Sequence, residues 1–110
     1  MIASSLYPHL EVHQTDDAVD VTLIGCSMLD EKCVETVREE LLALTDTLPG
    51  RHVYLNLAQV EYMASAGLGL LLTLKRRMDS TGGNLTLCGA RPMVYELFVV
   101  TRLTRHFHIV

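Results

Sequence analysis

From Ala18 to Gly25 apolar and polar residues alternate: Val19, Val21 and Leu23 fall on one side, Asp20, Thr22 and Ile24 on the other. That is the period of a strand. His9 to His13 alternates in the same way, with Leu10 and Val12 flanking Glu11, and predicts a half-buried strand before it. Asp16-Asp17 supplies a turn between the two, so they read as an antiparallel hairpin. Gly25-Cys26-Ser27-Met28-Leu29 reads as a connecting loop. After it the period changes. Val34, Val37, Leu41, Leu44 and Leu48 step by three and four, one apolar stripe of a helix, with Glu31, Lys32, Glu35, Arg38 and Glu39 on the other side. Asp30 is the cap of this helix, and Leu48-Pro49-Gly50 ends it.

Alternation returns at His52–Leu57, where Val53, Leu55 and Leu57 share a face. A polar link, Ala58 to Tyr62, leads to a helical run from Ala66 to about Ser80. Leu68, Leu70, Leu71, Leu72 and Leu74 make its first half apolar all round, and Lys75-Arg76-Arg77 marks a solvated second half. Gly67 and Gly69 lower helix propensity there, which predicts close approach of this helix to the sheet. Gly82-Gly83 turns the chain into a strand over Asn84–Cys88; strand, helix and strand at this spacing form a parallel crossover. A third helix runs from Arg91 to about Thr101, with Pro92 in its first turn and Val94, Leu97, Phe98 and Thr101 inward. His106–Val110 closes the chain as a short strand. The order β-β-α-β-α-β-α-β predicts an α/β fold: a mixed sheet of about five strands with three to four helices packed on it.

At 110 residues the chain suits a single domain, spanning 1–110. Apolar residues make up 49% and charged residues 20%, enough for a packed core, which Leu and Val must fill because there is no tryptophan. A net charge of −4 argues against nucleic acid as partner. The uncharged run Met63–Leu74 is too short for a membrane span, and Met1-Ile2-Ala3-Ser4-Ser5 does not begin a signal peptide. Cys26, Cys33 and Cys88 lack a Cys-x-x-Cys pair and read as three reduced cysteines of a cytoplasmic protein.

Chemistry concentrates at Met63-Ala64-Ser65-Ala66-Gly67. Ser65 stands where a strand hands over to a helix. Its hydroxyl can cap the first turn. The same place suits an anion, because free N–H groups and the positive end of the helix dipole point at it. Other constellations are weaker. His9 with His13, and His106 with His108, lack converging further ligands for a metal and read as surface histidines. Arg102, Arg105 and His106 form a solvated basic cluster. Gly67-x-Gly69 lacks the third glycine of a dinucleotide site. No paired carboxylates, Ser-His-Asp set or activated cysteine is present, so no enzyme activity and no cofactor are expected.

Three segments together resemble the STAS domain of the anti-sigma factor antagonists. They are Val53–Leu57 followed by Val60-Glu61-Tyr62-Met63-Ala64-Ser65-Ala66-Gly67-Leu68-Gly69; Gly25 followed by Leu29-Asp30; and Gly82-Gly83-Asn84-Leu85-Thr86-Leu87-Cys88. The resemblance implies a small cytoplasmic switch, a monomer or weak dimer, that binds an anti-sigma factor of the GHKL serine-kinase type. It implies phosphorylation of Ser65 by that kinase and its reversal by a PP2C-like phosphatase. It places Asp30, Met63, Ala64, Ser65, Ala66 and Gly67 on the partner-binding surface. The chain departs from the family pattern in three places. Ala64 and Asn56 stand where acids are usual, and two extra residues separate Gly25 from Leu29-Asp30. STAS modules without phosphorylation also exist, so a constitutive scaffold, or a sensor of a small anion or nucleotide in a signalling or transport assembly, is the alternative.

Overall fold

In the computed structural model, which describes residues 7–110, the alternating stretches assemble into one five-stranded mixed sheet. The N-terminal Met1–Ser5 stretch lies outside the described residues. In chain order the elements are β1 (Leu10–Gln14), β2 (Val19–Leu23), β3 (Met28–Leu29), α1 (Glu31–Asp46), β4 (His52–Asn56), β5 (Tyr62–Met63), α2 (Ser65–Ser80), β6 (Asn84–Cys88), α3 (Pro92–Val100) and β7 (His108–Ile109). The sheet order is β1-β2-β4-β6-β7. β1 and β2 pair antiparallel, as the acidic turn requires, and every later neighbour is parallel. α1, α2 and α3 are therefore the three crossovers, and the chain steps across the sheet in one direction. Right-handed crossovers of that kind place the helices on the same face.

The alternation decides what that face holds. Leu10, Val12, Val19, Val21, Leu23, Val53, Leu55, Leu85 and Leu87 are buried against the helices. Val37, Leu41 and Leu44 of α1 and Leu71, Leu74 and Met78 of α2 meet them. Phe98 of α3 sets its ring edge-on to Phe107, centroids 5.5 Å apart. On the opposite face Glu11, His13, Asp20, Tyr54 and His108 are exposed or half-buried, and Thr86 is buried. Here His52 stacks on Tyr54 at 4.4 Å, and the Thr86 hydroxyl lies 2.7 Å from His52 Nε2 and 3.4 Å from His108 Nδ1.

One polar pair reaches the covered side. Glu40 of α1, only 9% exposed, accepts the backbone N–H of His9 at 2.8 Å and meets the His9 ring Nδ1 at 2.6 Å. It fixes the start of β1 to the middle of α1. Glu40→Gln retains an amide oxygen for the His9 N–H but loses the charge. It is expected to lower stability by about 1 kcal/mol in urea unfolding. An unchanged midpoint would show that the charge contributes nothing.

The sequence reading differs from the structure in the link regions. Gly25–Leu29 is not all loop, and Ala58–Tyr62 is not all polar link. Met28-Leu29 and Tyr62-Met63 form a separate two-stranded parallel ladder. The final strand contracts from His106–Val110 to two residues. Thr101, assigned to the inner stripe of the third helix, is exposed.

Candidate functional site

The small ladder builds the site. Ser27 offers its carbonyl to the N–H groups of Glu61 (2.7 Å) and Tyr62 (3.1 Å), and Leu29 offers its own to Ala64 (3.0 Å). Segment 27–29 is thereby tied to the residues leading into α2. The tie holds because the first turn of α2 comes close. A Cβ on Gly67 would lie 2.6 Å from Met63 Cγ, 3.0 Å from the Leu29 carbonyl oxygen and 3.2 Å from Leu29 Cδ2. A side chain there would force Met63 and Leu29 to shift. The close approach is thus real for Gly67, but its target is the β3–β5 ladder rather than the main sheet. Gly69 has nothing within 4 Å, so the same expectation fails there.

Ser65 is the first residue of α2, not its cap. Ala64 occupies the cap position with φ −86° and ψ 172°, and no side chain bonds the first turn. The capping role considered for Ser65 is therefore ruled out: its hydroxyl sits one residue too late. Gly67 and Leu68 bond back to the Ala64 carbonyl, while among the described residues no acceptor meets the N–H groups of Ser65 and Ala66. Ser65 is exposed. A free hydroxyl stands at an uncapped helix N-terminus, the end that favours negative charge. Chemically, this end can carry an anionic group without rearrangement.

The extended backbone of Ala64 already suits a capping side chain. Ala64→Asp is expected to raise stability by about 1 kcal/mol, seen as a higher thermal midpoint. No rise would mean that Asp cannot reach the first-turn N–H groups.

The other predicted residues divide by burial. Ala64 and Ala66, the chain neighbours of the exposed Ser65, are half-buried, and so is Asp30. Asp30 accepts the Cys33 N–H at 3.0 Å and caps α1, directly after Leu29, whose carbonyl holds Ala64. Met63 is 2% exposed and Gly67 is buried, so neither presents a side chain to a partner; they hold the site from below. Met28 and Tyr62 went unrecognised. They are register partners across the ladder and are 52% and 45% exposed, an apolar pair where β3 meets β5, beside the start of α2. The sequence signal was faint: two large apolar residues inside segments that read as links. Asn56, the second departure from the family pattern, turns its Oδ1 to the Ala58 N–H at 2.8 Å, which an aspartate would do equally well.

The three cysteines are not equivalent. Cys26 and Cys33 bring their sulfurs together across β3, with Cα atoms 6.5 Å apart, and Cys88 stands alone. The spacing concealed this because the pair closes across β3, which had read as loop. Burial, then the charge of Asp20, pushes the Cys88 thiol above its ordinary range. Among the described residues no three His, Cys, Asp or Glu side chains converge as a metal would require. No helix there is long and apolar enough to cross a membrane.

The STAS domain family model matches residues 9–110. The anti-sigma-B factor antagonist of Staphylococcus epidermidis is 31% identical over 102 residues, covering 92% of this chain and 91% of its own. Among solved structures, an anti-sigma-factor antagonist (STAS) domain protein from Planctomyces limnophilus has a TM-score of 0.82 at 22% identity. It covers 91% of this chain and 87% of its own. The Bacillus cell fate determinant SpoIIAA in its phosphorylated form has a TM-score of 0.65 at 21% identity, covering 92% and 90%.

Proposed function

This chain belongs to the STAS domain family, and from that membership we propose that it is an anti-sigma factor antagonist, a single binding unit rather than an enzyme, switched by phosphorylation of Ser65. The partner is an anti-sigma factor of the GHKL kinase type. Its docking surface joins Ser65, Ala64, Ala66 and Asp30 to the exposed pair Met28 and Tyr62. Binding in the cytoplasm removes the anti-sigma factor from its sigma factor. The kinase transfers the terminal phosphoryl group of ATP to Ser65 Oγ, and a PP2C-like phosphatase hydrolyses it.

The observation that carries this reading is the exposed Ser65 hydroxyl at an uncapped helix N-terminus. A cap would have bound the oxygen internally. Here it is free for transfer, and the added phosphate, close to two negative charges, meets unpaired N–H groups and a favourable dipole. The structural neighbour SpoIIAA is known in a phosphorylated form, which supports the same chemistry on this fold. The second reading, a constitutive STAS scaffold or small-anion sensor, draws on Ala64, where the family places an acid beside the serine.

Intact mass and phosphosite mapping on protein from its own organism, under inducing and non-inducing conditions, separate the two. A condition-dependent gain of one phosphate on Ser65 is expected. Its repeated absence, with the peptide well observed, would favour the scaffold.

A further inference from the structure

We propose that Cys26 and Cys33 are a reversible thiol–disulfide pair, oxidised by low-molecular-weight disulfides, that stiffens the docking surface. The two Cα atoms, 6.5 Å apart, lie within the range that a disulfide spans. Access is unequal: Cys26 is 3% exposed and Cys33 half-buried. Cys33 is therefore the attacking thiol and Cys26 the resolving one. Cys88 lies on β6, facing away from the helices, and its raised thiol is the poorer nucleophile at neutral pH.

The exchange balances. The Cys33 thiolate attacks one sulfur of the small disulfide, forming a mixed disulfide and expelling one thiolate. The Cys26 thiolate attacks the Cys33 sulfur, closes the ring and expels the second. The pair loses two electrons and two protons; the small disulfide gains them as two thiols. A disulfide in a reducing compartment is typically of this transient, sensing kind.

The bond spans the segment that builds the site. Cys26 precedes Ser27, whose carbonyl holds Glu61 and Tyr62, and the Cys33 N–H is the donor to Asp30. Between them Leu29 holds Ala64 and abuts Gly67. Closing the ring restrains both ends of that segment and so the start of α2. The functional weight of this rests on the reading of that surface as the docking site, but the test requires neither partner nor phosphate.

The whole chain is equilibrated in glutathione buffers from fully reduced to fully oxidised, quenched by alkylation and mapped by mass spectrometry. Amide hydrogen exchange is followed over 61–67. The expected result is a Cys26–Cys33 peptide in oxidised buffer with Cys88 alkylated, full reversal by reduced glutathione, and roughly tenfold slower exchange over 61–67 in the oxidised form. Cys33→Ser, at the more accessible position, should abolish the redox response of that exchange. Three alkylated cysteines at every ratio, a glutathione adduct that never closes to Cys26, or exchange over 61–67 unaffected by ring closure would each overturn the proposal.

Discussion

Ser65→Glu is expected to weaken binding of this chain to its anti-sigma factor about a hundredfold, equivalent to about 3 kcal/mol, while leaving the fold intact. The asymmetry comes from where Ser65 stands. In the free chain a carboxylate at the first position of α2 faces unpaired N–H groups and the positive end of the dipole. There it adds roughly 0.3–1 kcal/mol of stability, so the melting temperature should hold or rise slightly. In the proposed complex the same charge would have to be stripped of water against the partner. Ser65→Ala removes the hydroxyl without adding charge and should keep affinity within a few-fold. Isothermal titration with the purified partner and both variants decides. Equal affinities for Ser65→Glu and Ser65→Ala would end the proposal that charge at this helix end is the switch.

The largest expected effect on stability comes from Gly67→Ala. In an exposed helix that change is favourable by about 1 kcal/mol. Here the new methyl carbon would meet Met63 Cγ at 2.6 Å and the Leu29 carbonyl oxygen at 3.0 Å. Met63 is a flexible side chain but a buried one, and the Leu29 carbonyl is engaged by the Ala64 N–H. Overpacking against such neighbours outweighs the propensity gain, and a net loss of about 2 kcal/mol is expected. For a domain of this size that lowers the thermal midpoint by roughly 10 °C. Gly69→Ala is the internal control. It enters open space and should raise stability by about 1 kcal/mol. Calorimetry on the two variants should give opposite signs. A Gly67→Ala protein as stable as the parent would show that β3 can yield, and that the site is not held by that contact.

The contrast between these glycines shows what the sequence could and could not reveal. Periodicity identifies α1, with its cap at Asp30, and the buried faces of β2 and β4, because each presents enough residues for a repeat to show. A two-residue strand has no period, so β3 and β5 were invisible, and with them Met28, Tyr62 and the closure of Cys26 on Cys33. Two glycines in one helix turn look alike in sequence, yet only Gly67 faces a neighbour. Ser65 was found through its setting, but whether it caps the helix turned on one residue of offset, finer than pattern reading resolves.

The ties between Ser27, Leu29 and the start of α2 join parts of the chain that are remote in sequence. The proposed docking surface therefore exists only in folded molecules, and a partner bound there would withdraw those from the unfolding equilibrium. At a partner concentration a hundred times the dissociation constant, that protection is about 2.7 kcal/mol; after a hundredfold loss of affinity it falls to about 0.4 kcal/mol. The phosphorylated population should then be the one that unfolds, and is degraded, more often. Phosphorylation would set the lifetime of the molecule as well as its engagement.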